Sequence, residues 1–137
     1  MPRKKTTVAP IPQGWLDAVI PLLRDGAPGK IHWTGRAQRE MAVLGLTFKH
    51  EAYELCLEVL RHHCPLGEQI LDMVDETDGS LCDTWAFLCP HPLNASDYVY
   101  AKIGLHHGRL HINLFSLHVD LSGKLKVAIR TYLKRKS

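Results

Sequence analysis

The repeat period of the apolar residues changes at Pro65, and this change constrains the fold more than any other feature of the chain. Before Pro65, one set of apolar residues follows the spacing of a single helix face: Ala52, Leu55, Cys56, Val59 and Leu60. After Pro65, the segments QILDMV, LCDTWAFL, YVYAKIGL and LHINLFSL are short and rich in β-branched and aromatic residues, as strands are. The order predicts an α+β fold with N-terminal helices packed on a C-terminal, mainly antiparallel β-sheet.

Two further helices and a short strand are predicted upstream. The first helix runs from Trp15 to about Asp25, where Gly26 closes it, and Pro21 should kink or split it. The segment KIHW is a strand candidate. A second helix runs from Arg36 to about Leu44 and ends at Gly45.

The two ends of the chain differ from its body. Residues 1 to 13 carry three prolines and few large apolar groups, so we expect a flexible basic tail before a single domain at 14 to 137. Residues 121 to 137 form a basic extension whose apolar residues fit a strand after a Ser-Gly turn, but also fit a helical stripe. The strand is slightly preferred here.

Composition and charge restrict the class of protein. The 137 residues suit one domain, and the 45% hydrophobic and 23% charged content is ordinary for a globular protein. No apolar run approaches the roughly 18 residues of a membrane helix, and the basic start lacks the apolar stretch of a secretory signal. We therefore expect a cytoplasmic protein with no membrane contact.

Basic residues concentrate at the ends. Residues 6 to 123 hold 8 Lys or Arg against 14 Asp or Glu, whereas the other nine basic residues lie in 3–5 and 124–136. Basic ends suit a phosphate backbone, and they equally suit solubilising segments.

The four cysteines form no C-x2-C pair, so we expect reduced and mostly buried thiols, with neither a metal nor another cofactor. The alternative is a zinc site with suitable ligand chemistry but without the usual spacing. Its ligands would come from His62, His63, Cys64, Cys82, Cys89 and His91.

Three stretches carry a family resemblance: LLRDGAPGKIHWTGRAQREMAVLGLTF (22–48), the strand around Asp83, and VYAKIGL with LFSLH. Together, over roughly residues 15 to 120, they resemble the MqsR family of type II toxin-antitoxin toxins. The resemblance implies a RelE-like fold and a metal-independent endoribonuclease that cuts messenger RNA and inhibits translation. It also implies a cognate antitoxin protein as partner.

The same resemblance implies site residues. Tyr100 and Lys102 match the tyrosine and lysine of the family's VY.K motif, and His118 falls where the family has the lysine of SFK. Asp83, Cys82 and Ser116 occupy supporting positions. Arg109, Arg130 and Lys134 are expected to contact RNA. A further functional lysine of the family has no counterpart here.

These residue types suit RNA cleavage by the RNA's own 2′-hydroxyl, which requires one proton acceptor, one donor and positive charge at the phosphate. A histidine such as His118 can accept or donate a proton near neutrality. Tyr100 can donate a hydrogen bond or a proton, and Lys102 supplies charge. The alternative function is a non-catalytic RNA- or protein-binding relative of the same fold, because one family lysine is missing and the body of the chain is acidic.

Strand register gives an internal test of this site. If His107 and Gly108 form a tight two-residue turn, Tyr100 faces Phe115, and His118 points away from Tyr100 and Lys102. A bulge between residues 113 and 116, or a three-residue turn, would bring them to one face because side chains alternate with a period of two. The sequence therefore predicts such an irregularity. His106 and His107 are expected to be solvated beside the turn, and His111 to be a cross-strand neighbour.

Overall fold

A computed structural model describes residues 7 to 136 of the chain. Ten elements follow one another: β1 (Val8–Pro10), α1 (Gln13–Asp25), β2 (Ile31–Trp33), α2 (Gly35–Val43), α3 (Lys49–Leu60), β3 (Leu66–Ile70), β4 (Cys82–Pro90), β5 (Tyr98–His106), β6 (Ile112–Val119) and α4 (Lys124–Lys136).

The six strands form one sheet in the order β1-β3-β4-β5-β6-β2. Strands β3 to β6 make the predicted antiparallel meander, in which consecutive strands are neighbours. However, β3 ends at Ile70, so most of the predicted strand QILDMV lies in the loop after it. Strand β1 adds antiparallel to β3, and β2 adds parallel to β6. The α+β class and the mainly antiparallel sheet are confirmed, but helices and strands are more mixed along the chain than the sequence predicted.

The core lies where α1 and α3 pack on each other and contact the central strands, α3 at β4 and α1 at β5. Val19, Leu57, Phe87 and Ile103 are fully buried there. Each large apolar side chain removed from water in this way contributes about 1.5–3 kcal/mol. Helix α1 continues through Pro21, so the predicted split does not occur, and Gly26 ends the helix in the left-handed conformation.

The N-terminal segment is more ordered than predicted. Val8 to Pro10 pair with Leu66 to Glu68, and Ile11 is 4% exposed. The tail prediction is therefore corrected for residues 8 to 11. The edge of β3 supplies backbone partners that the composition of this segment does not reveal. Residues 1 to 6 lie outside the described part of the chain.

The C-terminal segment forms helix α4, so the preference for a strand was wrong. Leu125 is buried, and Ile129 and Tyr132 of the same helical stripe are partly buried. Val127 and Leu133 are exposed. Beside β6 a strand would have to compete with β2, which pairs with residues 112–114, and with α2, which contacts the same strand.

The cysteines behave as predicted. Cys56, Cys82 and Cys89 are buried, Cys64 is exposed, and none of the four forms a disulfide.

Candidate functional site

A β-bulge in β6 decides which side chains meet. Tyr100 pairs with His118 and Lys102 with Ser116, but Ile103 pairs with Leu114, so Phe115 is the extra residue. The bulge therefore lies between residues 113 and 116, where the sequence predicted it. Because the side-chain period is two, the single extra residue turns Ser116 and His118 to the face that carries Tyr100 and Lys102.

Helix α2 holds the bulge in place. The Thr34 hydroxyl donates to the Phe115 carbonyl at 3.2 Å, and its oxygen accepts from the Ala37 amide at 3.1 Å, which caps the helix. Further along, Glu40 Oε1 accepts from the Leu117 amide at 3.0 Å. These bonds satisfy backbone groups along the part of β6 that β2 does not cover.

Gly104 makes room for the ring of the extra residue. A Cβ atom at position 104 would lie 2.6 Å from Phe115 Cε2 and 2.8 Å from both Cys82 Cβ and Thr84 Oγ1. Only glycine leaves this space, so the Phe115 ring lies over the backbone of β5, and Phe115 is 7% exposed.

The four side chains that the bulge brings together line one cleft of about 320 Å³. We call it the β5–β6 cleft. Its lining residues are Arg36, Glu68, Tyr100, Lys102, Ser116, His118, Asp120, Ser122, Lys124 and Leu125.

The His118 ring is oriented by two contacts. It stacks on Tyr100 with 5.2 Å between ring centroids and 23° between ring planes. Its Nδ1 lies 2.9 Å from the Val119 carbonyl oxygen, which can only accept, so Nδ1 carries the hydrogen of that bond. In the neutral ring Nε2 is then unprotonated and can accept a proton.

The pKa values of Tyr100 and Lys102 are shifted in opposite directions. Burial raises the pKa of Tyr100 to about 12, and the carboxylates of Glu68 and Asp120 add to the increase, while Arg36 opposes it. Tyr100 is therefore a neutral phenol near pH 7, which donates rather than accepts a proton. Burial lowers the pKa of Lys102, helped by the nearby positive charge of Arg36.

Arg36 is a functional candidate that sequence reasoning missed. It lies in the first turn of α2, and its Nε is 3.2 Å from Glu40 Oε2, on the carboxylate that also holds the β6 backbone. The sequence identified Arg36 only as a helix start. Its one signal was a basic residue three positions after a short strand.

The other predicted residues lie outside this cleft. Asp83 is on the opposite face of β4, where its carbonyl accepts from the Trp15 indole at 2.8 Å and its carboxylate from Gln69 at 3.4 Å. Cys82 pairs with His106 at the far end of the shared face. Arg130 and Lys134 are exposed on α4, beyond the residues that line the cleft.

Arg109 belongs to a second polar cluster at that far end. It lies 3.6 Å from Asp78 and 3.4 Å from the Thr77 hydroxyl. His106, expected to be solvated, is only 8% exposed, and its Nε2 lies 2.8 Å from Asp78 Oδ2. The prediction for His106 is corrected, whereas His107 is exposed as expected.

Asp75 is the buried centre of this second cluster. Its carboxylate accepts from the Thr77 amide and hydroxyl, and from Asn113 Nδ2 at 2.7 Å. Burial opposes the ionisation of Asp75, but these bonds outweigh it, so the pKa of this carboxyl is well below its usual range. His111, the predicted cross-strand neighbour, packs against His106 edge to face, and its Nδ1 lies 3.0 Å from Asp75.

In the described part of the chain, potential metal ligands meet in a group of three or more only in this cluster. Within residues 7 to 136, the one group of three or more is Asp75, Asp78 and His106, with ligand atoms within 4.8 Å of one another. However, the Gly108 amide donates to His106 Nδ1 at 2.9 Å, so the ring proton is on Nε2, the atom a cation would need. The cysteines and histidines of the zinc alternative do not assemble in that part of the chain.

Comparison of the chain with protein-family models, with curated proteins and with solved structures found no match in any of the three. Among the helices within residues 7 to 136, none has the length and apolar character needed to cross a membrane.

Proposed function

We propose that this protein is a metal-independent endoribonuclease that cleaves messenger RNA in the β5–β6 cleft, with a RelE-like fold of the MqsR type. The observation that carries the proposal is the bulge at Phe115, which gathers Tyr100, Lys102 and His118 in one cleft. A general acid, a general base and a cation are the groups that RNA cleavage without a metal needs.

His118 acts as the base. Its Nδ1 is bound to the Val119 carbonyl, so Nε2 takes the proton of the ribose 2′-hydroxyl. The 2′-oxygen then attacks the adjacent phosphorus, a new P–O2′ bond forms, and the P–O5′ bond breaks. Tyr100, kept neutral by burial, gives its proton to the departing 5′-oxygen. The products are a 2′,3′-cyclic phosphate and a free 5′-hydroxyl, and exchange with water restores both side chains.

Lys102 and Arg36 stabilise the charge that builds up on the phosphate oxygens. Lys102 is half-buried, so its charge is poorly screened and acts strongly at short range. The planar guanidinium of Arg36 can contact two phosphate oxygens. Arg36 provides a second cation beside Lys102 in the cleft. It would take over the role of the family lysine that has no counterpart in this sequence.

The biological role follows from the chemistry. A ribonuclease of this kind stops translation by destroying messages, so we propose that the protein is the toxin of a type II toxin-antitoxin system. A cognate antitoxin protein would then be needed to block the cleft or its access.

The second candidate is a non-catalytic RNA- or protein-binding relative, and one observation favours it. Glu68 and Asp120 line the same cleft, and their carboxylates repel the phosphate that Lys102 and Arg36 attract. Catalysis requires the cations and their geometry to outweigh this repulsion.

The test compares RNA cleavage by the purified wild type with that by His118→Ala and Tyr100→Phe. Losing one acid-base group lowers the rate about 10²- to 10⁴-fold. Tyr100→Phe keeps the ring and removes only the hydroxyl. His107→Ala is the matched control, because His107 is exposed at the hairpin tip and its loss should change nothing.

Two results would count against the proposal. Equal cleavage by the wild type and both site variants would mean that the reaction occurs elsewhere or comes from a contaminant. No cleavage by the wild type, combined with binding of RNA or of a protein partner, would establish the non-catalytic relative.

A further inference from the structure

Tyr98 places an exposed aromatic ring next to the β5–β6 cleft. It is the first residue of β5, and side chains along a strand alternate, so Tyr98 shares a face with Tyr100 and Lys102. Tyr98 and Tyr100 are two positions apart, roughly 7 Å along the strand. Tyr98 is 39% exposed, whereas Tyr100 is half-buried against His118.

A lysine of α4 accompanies this ring. Lys126 Nζ lies 5.2 Å from the centroid of the Tyr98 ring. Two residues earlier, Lys124 lines the cleft itself. Helix α4 carries six Lys or Arg and no Asp or Glu, so the helix beside Tyr98 is positively charged.

We propose that Tyr98 and Lys126 form a nucleotide-binding subsite, in which an unpaired base next to the scissile phosphate stacks on the Tyr98 ring. This inference rests on the proposed function, since it supplies a place for the RNA beyond the cleaved bond. A base stacked on an aromatic side chain gains roughly 1–3 kcal/mol whatever its identity. Lys126, on a flexible side chain beside the ring, neutralises the phosphate of that nucleotide.

The competing explanation is structural: the contact between Lys126 and Tyr98 could serve only to hold α4 against the sheet. A structural role and a base-binding role both predict that Tyr98→Ala weakens RNA binding. They differ in whether the loss depends on the presence of a particular base, and this difference defines the experiment.

The experiment measures binding of the full chain to a short single-stranded 2′-O-methyl RNA, which has no 2′-hydroxyl to attack and so stays intact. An abasic sugar is moved through the RNA one position at a time. We expect Tyr98→Ala to weaken binding of the complete RNA roughly 5- to 150-fold, corresponding to 1–3 kcal/mol of stacking. At one abasic position this loss should vanish, and Tyr98→Phe should bind like the wild type.

Tyr132→Ala is the matched control. Tyr132 also lies under a lysine, with Lys136 Nζ 5.5 Å from the centroid of its ring. However, Tyr132 is about 9 Å further along α4 than Lys126, and so further from the cleft. We expect any loss of RNA affinity in Tyr132→Ala to be the same at every abasic position. Thermal unfolding of each variant reports separately on the attachment of α4.

The outcomes separate this inference from the proposed function. A Tyr98→Ala loss that is equal on every RNA, or no loss at all, overturns the subsite even if the wild type cleaves natural RNA. A loss that vanishes at one position supports the subsite even if cleavage is absent, which would contradict only the catalytic proposal. A wild type that does not bind RNA overturns both.

Discussion

Replacing Gly104 with alanine should destabilise the protein by pressing on the bulge. The added Cβ would lie within 2.8 Å of three heavy atoms, and one of them, Cys82 Cβ, is directly attached to the backbone of β4. Overpacking of this kind costs about 1–3 kcal/mol, while the loss of glycine's freedom in the unfolded chain returns about 0.4–1 kcal/mol. With the middle value of each range, we expect the free energy of unfolding to fall by about 1.3 kcal/mol.

The measurement is urea unfolding of the wild type and Gly104→Ala, with cleavage activity assayed well below the midpoint. The added methyl group would force the Phe115 ring to move. Because Phe115 is the bulge residue that orients Ser116 and His118, cleavage activity should also fall. Gly14→Ala is the matched control: it makes the same chemical change in the first turn of α1, where a Cβ meets nothing within 4 Å.

At Gly14 the alanine should stabilise the helix by about 0.5–1 kcal/mol. A Gly104→Ala variant as stable as the wild type would show that the Phe115 ring does not need the space above Gly104.

Two further predictions concern carboxylates. Hydrogen bonds lower the pKa of Asp75 in the folded state, so its contribution to stability is present above the unfolded pKa of about 4 and is lost as pH falls below it. Unfolding measured from pH 6 to pH 2.5 should therefore lose stability less steeply in Asp75→Asn, and equal slopes would exclude this linkage. Glu40→Ala should cost about 1.5–3 kcal/mol, because the Leu117 amide loses a charged acceptor, whereas Glu40→Gln keeps an acceptor oxygen and should cost less. Chemical denaturation of both variants checks this, and equal losses would show that the Arg36 ion pair matters more than the backbone bond.

The meander could be predicted from the sequence because its signals are local. Alternating apolar residues and turn signals define β4, β5 and β6, and the short links between them leave little choice of neighbour. The bulge could also be predicted, but only from a functional premise: Tyr100, Lys102 and His118 share a face in this hairpin only if one residue is extra. No local property of Phe115 indicates that it is the extra residue.

The remaining features depend on contacts between distant segments. Strand β1 exists because β3 offers a free edge, and its own composition resembles a tail. The burial of Asp75 depends on Asn113, 38 residues away, and on the fold of the 71–81 loop. Helix α4 shows only a weak stripe, because Leu125 is its one well-buried residue. Periodicity cannot reveal any of these partners.

The β5–β6 cleft also depends on contacts between distant segments, because residues of the N-terminal half of the chain hold its strands in register. An irregular strand end tends to slip unless its unpaired backbone groups find partners. Here Glu40 of α2 and Thr34, the N-cap of that helix, supply those partners, and the Glu40 carboxylate also positions Arg36 at the cleft. One short helix therefore fixes the register that orients His118 and contributes a cation to the same site. Glu40→Ala on α2 should impair both together, whereas loss of the Lys126 charge on α4, which lies beside Tyr98 and not among the residues lining the cleft, should alter RNA binding alone.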